Sequence, residues 1–119
     1  MSRRTQRIED LIRQELSTLI LRDLRDPRVA LTSVSKVDVS PDLRNATVWV
    51  SSLTEDEQKE DVLIALAHAR GYLRKQLASR LRHMRAIPEL TFRLDRSAEH
   101  SQHVTDLLDE LNDDEQPST

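Results

Sequence analysis

The stretch VLIALAHARGYLRKQLASRLRHMRAIP, running from Val62 to Pro88, decides how the rest of the chain is read. Its apolar residues recur at helical spacing, it holds no acidic residue, and it carries six basic ones: Arg70, Arg74, Lys75, Arg80, Arg82 and Arg85. The helical pattern starts at about Gln58 and runs to Met84, disturbed only by Gly71. A glycine inside a helix costs about 1 kcal/mol relative to alanine, so a lone one here predicts a kink or a close backbone contact, and two helices meeting at Gly71. Pro88 stops the second. From Gly71 onward, at roughly 100° per residue, Leu73, Leu77, Leu81 and Met84 form one narrow apolar stripe. Arg74, Lys75, Arg82 and Arg85 fall in the adjoining sector and Arg80 on the opposite flank.

Upstream, residues 31–40 and 44–52 are rich in Val, Thr and Ser and alternate in polarity around Ser40-Pro41-Asp42-Leu43, where proline suits the second position of a tight turn. They predict a β-hairpin with Ala46, Val48 and Val50 on one face and Thr47, Trp49 and Ser51 on the other, leaving Trp49 half-exposed. Downstream, Leu90, Phe92 and Leu94 alternate with Thr91, Arg93 and Asp95 in a third strand, which the long helical crossover can return parallel in the same sheet. From Arg3 to about Leu24, Ile8, Leu11, Ile12, Leu16, Leu19 and Ile20 gather on one side of an amphipathic helix whose other side mixes both charges. Asp26-Pro27-Arg28 ends that helix. Ser97 reads as an N-cap before a short closing helix striped with Val104, Leu107, Leu108 and Leu111. The expected architecture is an α+β domain over residues 1–111, ordered α-β-β-α-kink-α-β-α, with helices on one face of a three-stranded sheet. Residues 112–119 form an acidic tail expected to be disordered.

Composition narrows the functional classes. A chain of 119 residues supports one domain. One glycine cannot furnish a dinucleotide-binding fingerprint, a Walker loop or a serine nucleophile elbow. The absence of cysteine removes disulfides, thiolate zinc sites and cysteine nucleophiles. No apolar stretch follows the basic residues near the N-terminus, so neither a signal peptide nor a membrane span is expected, and a cytoplasmic location is. The formal charge of -3 conceals an asymmetry. Residues 1–96 carry all 18 basic residues against 14 acidic ones, a net +4, whereas residues 97–119 carry seven acids and no Lys or Arg. A basic body with an acidic tail points toward nucleic acid.

The single-sign run on the crossover sharpens that expectation, because it repels itself unless an anionic partner screens it. The rival reading is a protein-interaction module that docks an acidic protein through the same helix. Gly71 either lets backbone amides at the start of a second helix meet a phosphate or relieves crowding against the sheet. His100 and His103 share a helix side but lack a third ligand, and His68 and His83 read as boundary residues, so no metal site is expected. Neither a catalytic constellation, a cofactor nor a small-molecule substrate is indicated.

Several stretches carry a more specific signal in this order and spacing: Asp26-Pro27-Arg28, Val39-Ser40-Pro41-Asp42-Leu43, Ala46-Thr47-Val48-Trp49-Val50-Ser51, Ala69-Arg70-Gly71, and Arg85-Ala86-Ile87-Pro88-Glu89-Leu90-Thr91-Phe92. In these the chain resembles the bacterial ribosome-binding factor A family, from about Arg3 to Leu111. The resemblance implies a type II KH-like fold in which an Ala-x-Gly kink replaces the usual glycine-rich loop. KH domains clamp single-stranded backbone there, so an RNA-binding role carries over to Ala69, Arg70 and Gly71. It also implies a non-catalytic assembly factor that binds the free small ribosomal subunit during late maturation, assists processing or folding of its rRNA, and supports growth in the cold. With the cationic run, the expected RNA-binding residues are Ala69, Arg70, Gly71, Arg74, Lys75, Arg80, Arg82 and Arg85, on a monomer that binds no membrane.

Overall fold

Helix α1 spans Arg3–Asp23 and buries Ile8, Ile12, Leu16, Leu19 and Ile20, the side that its three- and four-residue spacing selects. The computed structural model describes residues 3–53 and 56–96. After α1 the chain is turned by a short 3-10 helix, Pro27–Val29, that buries Val29. Asp26 caps this turn: its carboxylate accepts from the Arg28 amide at 3.0 Å, and the Arg28 guanidinium reaches back to the same carboxylate, with Nη2 at 2.6 Å. The Arg28 side chain is the main reason that the Asp26 carboxyl sits at about pKa 2 instead of 3.8.

Because the folded value lies below the unfolded one, the stability that this charge contributes is complete above about pH 4 and is lost as pH falls toward 2. An asparagine at this position would keep a capping oxygen without the charge. Thermal midpoints of the wild type and Asp26→Asn should therefore differ at neutral pH and converge near pH 2. A constant gap across that range would contradict the assignment.

Strands β1 (Thr32–Val39), β2 (Asn45–Ser52) and β3 (Glu89–Leu94) form one sheet in the order β1-β2-β3. β1 runs antiparallel to β2, and β3 runs parallel to it, the return that the long crossover allows. Inward residues of β1 are Val34, Val37 and Val39, which strict alternation would not place on one face. A bulge between Val34 and Lys36 inserts Ser35 and restores the inward register. The Val39 amide on this edge strand donates to the Glu9 carboxylate of α1 at 2.8 Å. Trp49 is half-buried on the face opposite the helices, where its Nε1 donates to Asp38 at 3.1 Å.

At the β1–β2 turn the Ser40 amide donates to the Asn45 carbonyl at 2.8 Å and the Leu43 amide to the Ser40 carbonyl at 2.9 Å. Leu43 has φ 62, the one described non-glycine residue in the left-handed region.

Helix α2, Asp56–Arg80, corrects two expectations. It passes Gly71 as one continuous helix, so two separate helices meeting there do not occur. Val62, Ala65 and Leu66 before the glycine, and Leu73 and Leu77 after it, are buried in one core. Packing on both sides outweighs a propensity cost of about 1 kcal/mol. The close backbone contact is also absent, since a Cβ on Gly71 would meet nothing within 4 Å.

The helix also stops at Arg80 and does not reach Met84, which takes Arg82 and Arg85 off the helical stripe. The Leu81 amide makes a final helical bond to the Leu77 carbonyl, and Arg82 Nε caps the Ser79 carbonyl at 3.2 Å. Burial of Leu81, Ile87 and Pro88 then pulls the chain back onto the core. Both helices cover the same sheet face and are tied by Arg80 to Glu15 at 3.1 Å and by the Tyr72 hydroxyl donating to Asp23 at 2.8 Å. The layers are those of the expected α+β, KH-like fold. The closing helix, the acidic tail and the domain limit at residue 111 lie outside the described residues. No helix among the described residues is long and apolar enough to cross a membrane.

Candidate nucleic-acid interface

The exposed side of α2 brings Arg70, Gly71, Arg74 and Lys75 together, since residues four apart are neighbours on a helix surface. Ala69 lies beneath them, partly buried against the core. Arg70 and Lys75 are exposed and have no carboxylate partner among the described residues. Arg74 is different. Its guanidinium donates to the Ile87 carbonyl at 2.9 and 3.3 Å and pairs with Glu89 at 3.0 Å, fastening the α2–β3 loop. Arg80 is engaged by Glu15 and Arg82 by the helix end, while Arg85 stands exposed in the loop. The eight expected residues therefore make a patch, three fastenings and one loop cation, and no continuous stripe.

An unbroken α2 also removes the helix-terminus anion site, because the amides around Gly71 belong to the helix's own ladder. What Gly71 offers is a bare stretch of backbone between two cations. Gly71→Ala should raise stability by about 1 kcal/mol, as helix propensity gains with no clash. If RNA approaches that backbone closely, the same variant should bind more weakly although it is more stable. Denaturant melts and an RNA-binding isotherm on one preparation check the pair of effects.

Charge reading along the sequence missed a second feature. Arg3, Arg4 and Arg7 from α1, Arg44 beside the hairpin turn, and Arg74 and Arg85 line a cleft of about 1300 Å³. Asp42 and Glu89 are the acids on its lining, so it carries a net +4, as much as residues 1–96 together. Glu89 is taken up by Arg74, and Asp42 accepts from the Ser40 hydroxyl and the Arg44 amide, which hold its carboxyl below the usual range. The floor is largely apolar, including Leu11, Leu43, Met84 and Ile87. The available signal was that no acid precedes Glu9 in α1. Among the described residues no group of three or more His, Asp or Glu could hold a metal ion, and His100 and His103 lie outside them.

The chain is similar to known proteins in both sequence and fold. A model of the family described as ribosome-binding factor A matches residues 4–108. The chain is 44% identical over 115 residues to the ribosome-binding factor A of Thermomicrobium roseum, covering 97% of this chain and 88% of that one. It is 41% identical over 108 residues to that of Chloroflexus aggregans, covering 91% and 85%. The crystal structure of ribosome-binding factor A from Thermus thermophilus superposes with a TM-score of 0.68 at 33% identity, covering 76% of this chain and 94% of that one. A Thermus thermophilus homology model fitted into a cryo-EM map of a complex of ribosome-binding factor A with the 30S subunit gives 0.65 at 34% identity, with coverages of 76% and 93%.

Proposed function

The chain belongs to the ribosome-binding factor A family, and from that membership we propose that it is a non-catalytic factor that binds the free small ribosomal subunit and assists late maturation and processing of its rRNA. The Thermus relative has been fitted into a map of its complex with the 30S subunit, which supports the choice of partner. The observation that carries the reading is the gathering of the body's entire positive excess around one cleft, beside the α2 patch. Counterion release from phosphates makes such a surface a strong and salt-sensitive RNA binder. Arg70, Lys75 and Arg85 grip phosphates, Ala69 and Gly71 shape the approach, and Arg74, Arg80 and Arg82 keep the surface in form. We assign the action to a cytoplasmic monomer, with its greatest demand in the cold, when misfolded rRNA rearranges slowly.

Co-sedimentation tests this. The purified protein should travel with free small subunits, and neither with large subunits nor with complete ribosomes, and nuclease digestion should release it. Equal association with all three, or a complex that survives the nuclease, would contradict it; the second result would favour an acidic protein partner.

A further inference from the structure

The cleft between α1, the β1–β2 turn and the α2–β3 loop has features that phosphate binding alone leaves unused. Its volume of about 1300 Å³ exceeds the roughly 300–1,000 Å³ of a small-molecule pocket and suits a short length of polymer. Every Lys or Arg on its lining is arginine, whose planar fork both grips phosphate and stacks on bases. Arg3, Arg4 and Arg7 stand at the N-terminal end of α1, where the helix dipole disfavours positive charge and no acid offsets them in the first turn. Leu43, on the same lining, holds φ 62, a left-handed conformation that residues other than glycine rarely adopt.

We propose that the cleft takes an unpaired segment of RNA, with phosphates at the arginine rim and bases laid on Leu11, Leu43 and Met84. The inference rests on the RNA-binding function above and names the form of RNA. A duplex would bring phosphates to the rim and leave the apolar floor empty, because its bases stay stacked inside. Small apolar ligands would not need the rim. The strain at Leu43 follows from the same role, since an asparagine or glycine would relieve it but supply no apolar surface.

Fluorescence anisotropy with a labelled eight-nucleotide single-stranded RNA and the blunt duplex of the same sequence tests this on the full chain. The single strand should bind about tenfold more tightly than the duplex. Met84→Ala and Leu43→Gly should each weaken single-strand binding about three- to tenfold without changing its salt slope, and leave duplex binding unchanged. Arg3→Gln with Arg7→Gln, both at exposed positions, should reduce the log-log salt slope by about 1.4.

Equal binding of duplex and single strand, or full single-strand affinity in the folded floor variants, would overturn the inference. If small subunits still carried the protein in a salt-sensitive manner, only the cleft assignment would fall. Failure of both RNA forms and of subunits would remove the function with it.

Discussion

Replacing Arg70, Lys75 and Arg85 together by glutamate is expected to lower affinity for small subunits at least about a hundredfold. The thermal midpoint should stay within a few degrees of the wild type. All three side chains are exposed and lack a carboxylate partner among the described residues, so each substitution belongs to the class worth less than about 0.5 kcal/mol of stability. Their loss removes phosphate contacts and adds repulsion at the same three points. The choice of residues depends on the fold. From sequence alone, Arg74 with Arg85 is the natural pair to reverse. Arg74→Glu would instead set a carboxylate beside Glu89 and release the Ile87 carbonyl, mixing loss of fold with loss of binding. Unchanged subunit affinity in the folded triple variant would place the interface elsewhere.

Leu66→Ala is expected to have the largest effect on stability. Leu66 is fully buried and belongs to the cluster formed by both helices and the inner sheet face. Truncating such a leucine removes transfer energy and leaves a cavity, at about 3–5 kcal/mol. Against a total of about 5–15 kcal/mol this is a large share, corresponding to a fall of about 10 °C or more in the midpoint. Denaturant unfolding gives the number directly, and a loss below about 1 kcal/mol would mean that the helices do not share one core. The variant alters no charge, so at temperatures where it remains folded its salt dependence of binding should match the wild type.

The parts of the fold that were legible are those where one period governs a whole element. Ile8, Ile12, Leu16 and Leu19 mark α1, and Ala46, Val48 and Val50 mark β2, because burial on one face leaves no other register. The length of the crossover left room for the parallel return of β3. Gly71 misled because propensity is a local quantity of about 1 kcal/mol, whereas Leu66, Leu73 and Leu77 pack on either side of it. The apolar spacing that continues to Met84 does not reveal the end of α2 at Arg80, where Ile87 and Pro88 are buried beyond the helix and the Ile87 carbonyl is held by Arg74 from within it. The bulge at Ser35 left only the three-residue step from Val34 to Val37 as a trace.

For the site, the basic run on the crossover was visible as an unopposed charge block. Its division into cations without a carboxylate partner among the described residues and structural fastenings depends on partners such as Glu15, Glu89 and the Ile87 carbonyl, which are distant or unremarkable in sequence. The cleft was hidden for the same reason. Arg7, Arg44 and Arg85 are about forty residues apart and meet only because α1, the hairpin turn and the α2–β3 loop end at one edge of the molecule.

The central claim is that these arginines and lysines act on RNA phosphates, and the salt dependence of small-subunit binding measures it. With about five phosphates neutralised, the log-log slope for the wild-type protein should lie near -3.5 to -4.5, and the triple glutamate variant should lose at least about 2 from it. A wild-type slope near zero, or one that the variant leaves unchanged, would contradict the account.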